Sequence, residues 1–98
     1  MLTLTDPASF ELIESLESLR AIPGVGKSIA YDLYKLGIRK PSDLKGKDPQ
    51  ELFERSNYLA GTIQDRCLLY VFRCAVYFAE TKKPDNKKLQ WWYWKDKK

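Results

Sequence analysis

The sequence predicts an all-α protein: a compact bundle of five short helices with a basic, aromatic C-terminal tail. Three observations carry this. Apolar residues recur at helical spacing in consecutive segments, Leu12, Ile13, Leu16 and Leu19, then Ile29, Ala30, Leu33 and Leu36, and no convincing pair of strands occurs anywhere. Two helix-start signals, Asp6-Pro7 and Asp48-Pro49-Gln50-Glu51, place an acid before a proline at the first helical position. Glycine and proline stand between the periodic segments, where the chain must turn.

The first helix runs from Pro7 to about Arg20, with Glu11, Glu14 and Glu17 on its outer side and Pro23 and two glycines ending it. The second begins after IPGVGKS and ends at Gly37, which stands where a C-terminal cap belongs. Small Ala30 lets the two backbones approach closely. The connector RKPSDLKGK holds a single helical turn at Ser42–Leu44. The next helix spans 48–56, residues 57–61 break it, and the longest helix covers 62–80. Its buried side is expected to carry Ile63, Cys67, Tyr70, Val71, Cys74 and Phe78. A polar basic linker from Lys82 to Lys88 leads to LQWWYWKDKK.

With 98 residues the chain is one domain's worth of polypeptide, divided here into a helical domain, 1–80, and a tail, 81–98. It carries no histidine and two cysteines, so no Ser-His-Asp or Cys-His pair and no intramolecular four-thiolate site can form. Cys67 and Cys74 are expected to be free, reduced and buried. Seven residues of helix separate them by about 10.5 Å, beyond the ~7 Å Cα limit for a disulfide. No apolar run reaches the ~20 residues of a membrane span, and the N-terminus lacks a signal-peptide pattern. A cytoplasmic location with no membrane partner follows as the expectation.

The net charge of +4 is distributed in blocks: residues 1–19 and 48–80 are acidic, 20–47 and 81–98 basic. Solvated helix faces produce such blocks, and so does an anionic partner. Arg66 and Arg73 are either surface arginines of the long helix or an extension of a phosphate-binding face. If the tail is extended, Trp91 and Tyr93 point one way and Trp92 and Trp94 the other. One pair is then free to pack on the long helix and the other to stack on bases or contact a protein.

The segment PGVGKS is not a P-loop. The first glycine position of GxxxxGK[ST] is Ala21, and a leucine-striped helix precedes it where a strand is needed. The stretch Leu19-Arg20-Ala21-Ile22-Pro23-Gly24-Val25-Gly26-Lys27-Ser28-Ile29-Ala30, with Leu33 and Leu36-Gly37-Ile38, resembles instead the helix-hairpin-helix family. Independently of the resemblance, Gly24 and Gly26 leave backbone uncovered, and N–H groups at the start of the second helix, with Lys27 beside them, suit a phosphate. The resemblance implies DNA binding through Pro23, Gly24, Val25, Gly26, Lys27 and Ser28. Val25 is then the apolar tip near the minor groove, and a monovalent cation is held by the backbone carbonyls of Arg20, Ile22 and Val25. No other cofactor is implied.

Helix 48–56, NYLAG and helix 62–80 look like a second, degenerate hairpin. Two such units make the five-helix layout called SAM-domain-like. The run from Asp65 to Ala79 and then Leu89-Gln90-Trp91-Trp92-Tyr93-Trp94-Lys95-Asp96 resembles the small bacterial pathogenicity-locus family, some members of which carry a mitomycin-resistance label. The layout is also similar to the C-terminal domain of TfoX-type competence regulators. Both resemblances imply a bacterial cytoplasmic protein acting with DNA. Hairpin-bearing DNA glycosylases carry a lysine and a later aspartate that this chain does not match: Lys27 sits one place early and Lys45-Gly46-Lys47 lacks the acid. A base-extrusion pocket also needs a longer chain. The expected function is therefore non-sequence-specific DNA binding through the backbone amides of the PGVGK hairpin, in DNA repair or processing, without catalysis by this chain. The alternative is a protein-interaction module, a homodimer or a complex with a protein partner, using the helices and aromatic tail.

Overall fold

In the computed structural model, which describes residues 7–96 with side chains from Phe10 onward, helix α1 runs Pro7–Leu19 and α2 runs Lys27–Lys35. Asp6, the expected cap of α1, lies outside the described residues. The end of α1 tightens: Arg20 N–H still reaches the Leu16 carbonyl, but those of Ala21 and Ile22 donate to Ser18 and Leu19. At the end of α2, Ile38 N–H donates to the Leu33 carbonyl and Gly37 N–H to that of Tyr34, both at 3.0 Å. This Schellman arrangement requires a residue of positive φ, and Gly37 supplies it at +92°.

After a 3-10 turn at Pro41–Leu44, α3 runs Pro49–Ala60 and α4 runs Arg66–Glu80. Two further 3-10 turns, Asn86–Leu89 and Trp91–Trp94, complete the described chain, so that it is all-helical with four α-helices and no strand among the described residues. α1 packs on α2, and α4 packs on α3, on the Pro41–Leu44 turn and on the Trp91–Trp94 turn. Leu19, Ile22, Ala30, Leu33, Leu44, Leu52, Leu69 and Phe72 meet in one core, each 2% exposed or less. None of the described helices is long and apolar enough to cross a membrane.

Several expectations are corrected. α3 continues through residues 57–60, which were expected to break it, and stops at Gly61, whose φ of +71° ends the helix. α4 begins at Arg66, not at 62, because the Asp65 carboxylate accepts from the Cys67 N–H and caps it. Ile63 thus precedes the helix and is 86% exposed. Cys67, in the first turn of α4, is exposed, whereas Cys74 is buried; both are free. The buried side of α4 is a broad arc of Leu69, Val71, Phe72, Cys74, Ala75 and Val76. A single stripe does not describe it because α3, the Pro41–Leu44 turn and the tail all pack on the helix.

The tail is not extended. Three residues per 3-10 turn bring positions i and i+3 to the same side. Trp91 and Trp94 are accordingly half-buried, while Trp92 and Tyr93 are exposed. The pairs therefore differ from those expected of an extended chain.

Candidate nucleic-acid interface

Residues 20–26 link α1 to α2. Val25 N–H donates to the Ile22 carbonyl at 3.1 Å, closing a four-residue turn with Pro23 and Gly24 at its centre. Proline second and a glycine of φ +83° third is the signature of a type II turn. The turn carries the side chain of Val25 into the core, 6% exposed, beside Ile22 at 1%. Val25 is thus no apolar tip: the residue is buried and its side chain belongs to the core. Pro23 is half-buried, and Arg20, Gly24, Gly26, Lys27 and Ser28 are exposed.

Gly26 precedes α2 in extended conformation, φ −94° and ψ −167°, and no side chain caps the helix. Among the described residues, the N–H groups of Gly26, Lys27 and Ser28 donate to no protein acceptor. α3 and α4 differ. Asp48 accepts from Gln50 N–H at the start of α3, and Asp65 accepts from Cys67 N–H at 2.8 Å at the start of α4. Those carboxylates occupy the donors that an anion would use and repel it as well. The α3–α4 turn is further closed by Asn57, whose Oδ1 accepts from Gln64 N–H at 2.9 Å. Of the starts of α2, α3 and α4, that of α2 alone has no capping carboxylate, so its free donors and positive helix end are open to an anion.

The arginines of α4 are committed elsewhere. Asp96 in the tail accepts from Arg66 Nε at 2.7 Å, from Arg73 Nη1 at 2.9 Å and from the Tyr70 hydroxyl at 3.2 Å. Arg73 Nη1 also donates to the Trp94 carbonyl at 2.8 Å. The guanidinium of Arg73, then that of Arg66, holds the Asp96 carboxyl below its ordinary value, and the same contact raises Arg66. Arg66 and Arg73 therefore fasten the tail, and the phosphate-face alternative loses both. Arg39 pairs with Glu11 and Lys35 with Asp32, while Arg20, Lys27 and Lys95 form no ion pair among the described residues.

Sequence reasoning missed that the tail reaches the turn. A Cβ built on Gly24 would lie 3.8 Å from both Cβ and Cδ1 of Trp91, so the indole packs over the glycine. Trp92 meets Trp91 edge-on at 5.8 Å, and Lys95 Nζ lies 5.7 Å from the Trp91 ring centre. Trp94 anchors the other side of the tail. Its Nε1 donates to the Lys88 carbonyl at 2.8 Å and its ring lies 5.4 Å from that of Tyr77. The cue was present in the separate basic blocks around Lys27 and Lys95, but no local pattern joins them.

Compared with known proteins, residues 13–98 match the family described as Pathogenicity locus (Cdd1). A mitomycin resistance protein, McrB of Streptomyces lavendulae, is 37% identical over 62 residues, covering 63% of this chain. The chain matches 59% of the length of that relative. No solved structure matches.

Proposed function

The chain belongs to the pathogenicity-locus family, and from that premise we propose that it is a DNA-binding module that grips the phosphate backbone through its α1–α2 turn. One observation carries the reading: the uncapped start of α2, where the N–H groups of Gly26, Lys27 and Ser28 find no protein acceptor and Lys27 forms no ion pair among the described residues. Backbone donors and a helix dipole suit a phosphate oxygen, and such contacts carry no base code. The protein then binds DNA of any sequence and does no chemistry on it.

On this reading α1, the turn and α2 form a helix-hairpin-helix. Counting the Pro41–Leu44 turn as a helix gives the five-helix, SAM-like layout. α3, Gly61 and α4 are its degenerate second half, with acids where phosphate would bind. A monovalent cation fits the same turn: the carbonyls of Arg20 and Val25 accept no backbone hydrogen bond among the described residues, and that of Ile22 accepts one and retains a lone pair. Those three oxygens would hold the ion and add positive charge next to the phosphate. The module acts in the cytoplasm, in contact with DNA.

The test is a titration of labelled single-stranded, duplex and branched DNA at two salt concentrations, with the wild type and Lys27→Glu. Binding that weakens with salt and with the substitution supports the reading; no binding at low salt refutes it. A second reading, protein interaction, is favoured by Tyr58 and Ile63, each 86% exposed, and Leu59 at 54%, clustered around the α3–α4 turn. DNA-free self-association or partner capture that is lost in a Tyr58→Ser, Ile63→Ser variant would support it.

A further inference from the structure

The tail and the turn form one continuous surface, and we infer that this surface selects DNA carrying unpaired bases, with Trp92 as the base-stacking residue. The inference deepens the phosphate-binding proposal and rests on it. Trp91 fills the space over Gly24 and is half-buried there, so it is spent on docking. Trp92 stands against it with ring centres 5.8 Å apart and planes at 85°, and remains 53% exposed. A large exposed indole is thereby held one ring away from Gly24, which stands two residues before the first free N–H of the turn. On this inference, a strand whose phosphate sits at Gly26–Ser28 stacks a neighbouring base on that ring.

The charge around the ring favours a nucleic acid over an apolar partner. Residues 81–98 hold seven bases and two acids, and one of those acids, Asp96, is already neutralised by Arg66 and Arg73. Lys95 lies beside the Trp91 ring, and Lys27 flanks the turn. In a duplex the base faces are covered by neighbouring pairs. A single strand, a gap or a frayed end exposes a face, and stacking on an aromatic side chain tolerates any base. The turn therefore supplies affinity for both kinds of DNA, and Trp92 supplies the preference.

The experiment uses the full chain and fluorescence anisotropy of a labelled single-stranded thymidine oligonucleotide and a duplex of equal length. The wild type should prefer the single strand. Trp92→Ala should lower single-strand affinity by about five- to 160-fold, the range of one stacked base, and leave duplex affinity unchanged. Trp92→Phe, which keeps a ring, should retain most of the preference, and Lys27→Glu should weaken both. Equal loss on both DNAs with Trp92→Ala, or no loss on the single strand, overturns the inference while the phosphate reading stands on Lys27→Glu. Failure of the wild type to bind either DNA overturns both.

Discussion

Arg73 on α4 and Asp96 in the tail, joined at 2.9 Å, fasten the end of the described chain onto its longest helix. The same carboxylate also receives Arg66 and Tyr70, so one acid holds three side chains spread over two turns of α4. This latch closes the same tail whose Trp91 packs on Gly24 and whose Trp92 stands exposed beside it.

Acid should release the latch. The Asp96 carboxyl is held below its ordinary 3.8 by Arg73 and Arg66, so its contribution is complete above that value and is lost as pH falls through the lower folded value. All three tryptophans lie between residues 91 and 94, so their emission reports on the tail. The wild type should keep its neutral-pH emission down to about pH 4 and shift red below it. Asp96→Asn should be shifted at neutral pH and lack that acid step. Identical emission curves for the two proteins would show that Asp96 does not hold the tail.

The two turn glycines should behave differently. Gly24 has φ +83°, and a methyl there would also touch Trp91, so Gly24→Ala should cost about 1–2 kcal/mol in urea melts. Gly26 has φ −94° and open space around it. Gly26→Val should keep the helical circular dichroism, with a loss of about 1 kcal/mol for the poorer N-cap, but screen the N–H groups and weaken duplex DNA binding. Full affinity in a folded Gly26→Val protein would count against backbone contact at the turn.

The two thiols should separate kinetically. Cys67 is exposed, but its hydrogen bond to Asp65 raises its pKa, and burial raises that of Cys74. An aqueous thiol reagent should label one cysteine per native chain, slowly at neutral pH and faster as pH rises, and both in denaturant. Rapid labelling of both in native protein would contradict the burial of Cys74. An intramolecular crosslink found by mass spectrometry would contradict the helical separation.

Salt should weaken duplex binding only modestly. With Arg66 and Arg73 engaged by Asp96, the cations left near the turn are Arg20, Lys27 and Lys95. Neutralising about two to four phosphates gives a slope of log K against log salt of roughly −2 to −4, with Kd on the order of 10⁻⁴–10⁻⁶ M at physiological salt. Tighter function then requires a second copy or partner acting at high effective concentration. A tight, sequence-selective complex of a proven monomer would break this account.

The helices were largely legible. Leu19, Ala30, Leu33 and Leu36 announce a shared core by spacing, Asp48-Pro49 marks the start of α3, and Gly37 stands at the end of α2, whereas Ile13 of the first stripe is 38% exposed and the core position of Ile22 has no periodic cue. The errors fell where local cues were ambiguous. Asn57–Ala60 contains nothing that forbids a helix, so α3 continues until Gly61 permits the left-handed turn. Ile63 reads as core by hydropathy, yet it precedes the Asp65 cap and no element lies over it.

What the chain settles by itself is what neighbours within about one helical turn can enforce: proline and acid at helix starts, glycine of positive φ at ends, and apolar faces four residues apart. The inward turn of Val25, the pairing of Asp96 with Arg66 and Arg73, and the seat of Trp91 on Gly24 depend on residues distant in sequence. The tail alone has no reason to choose 3-10 over extended backbone, because four consecutive aromatics bury equally little in either. The choice falls to 3-10 once α4 and the turn are assembled, since only then do surfaces exist that cover Trp91 and Trp94 together.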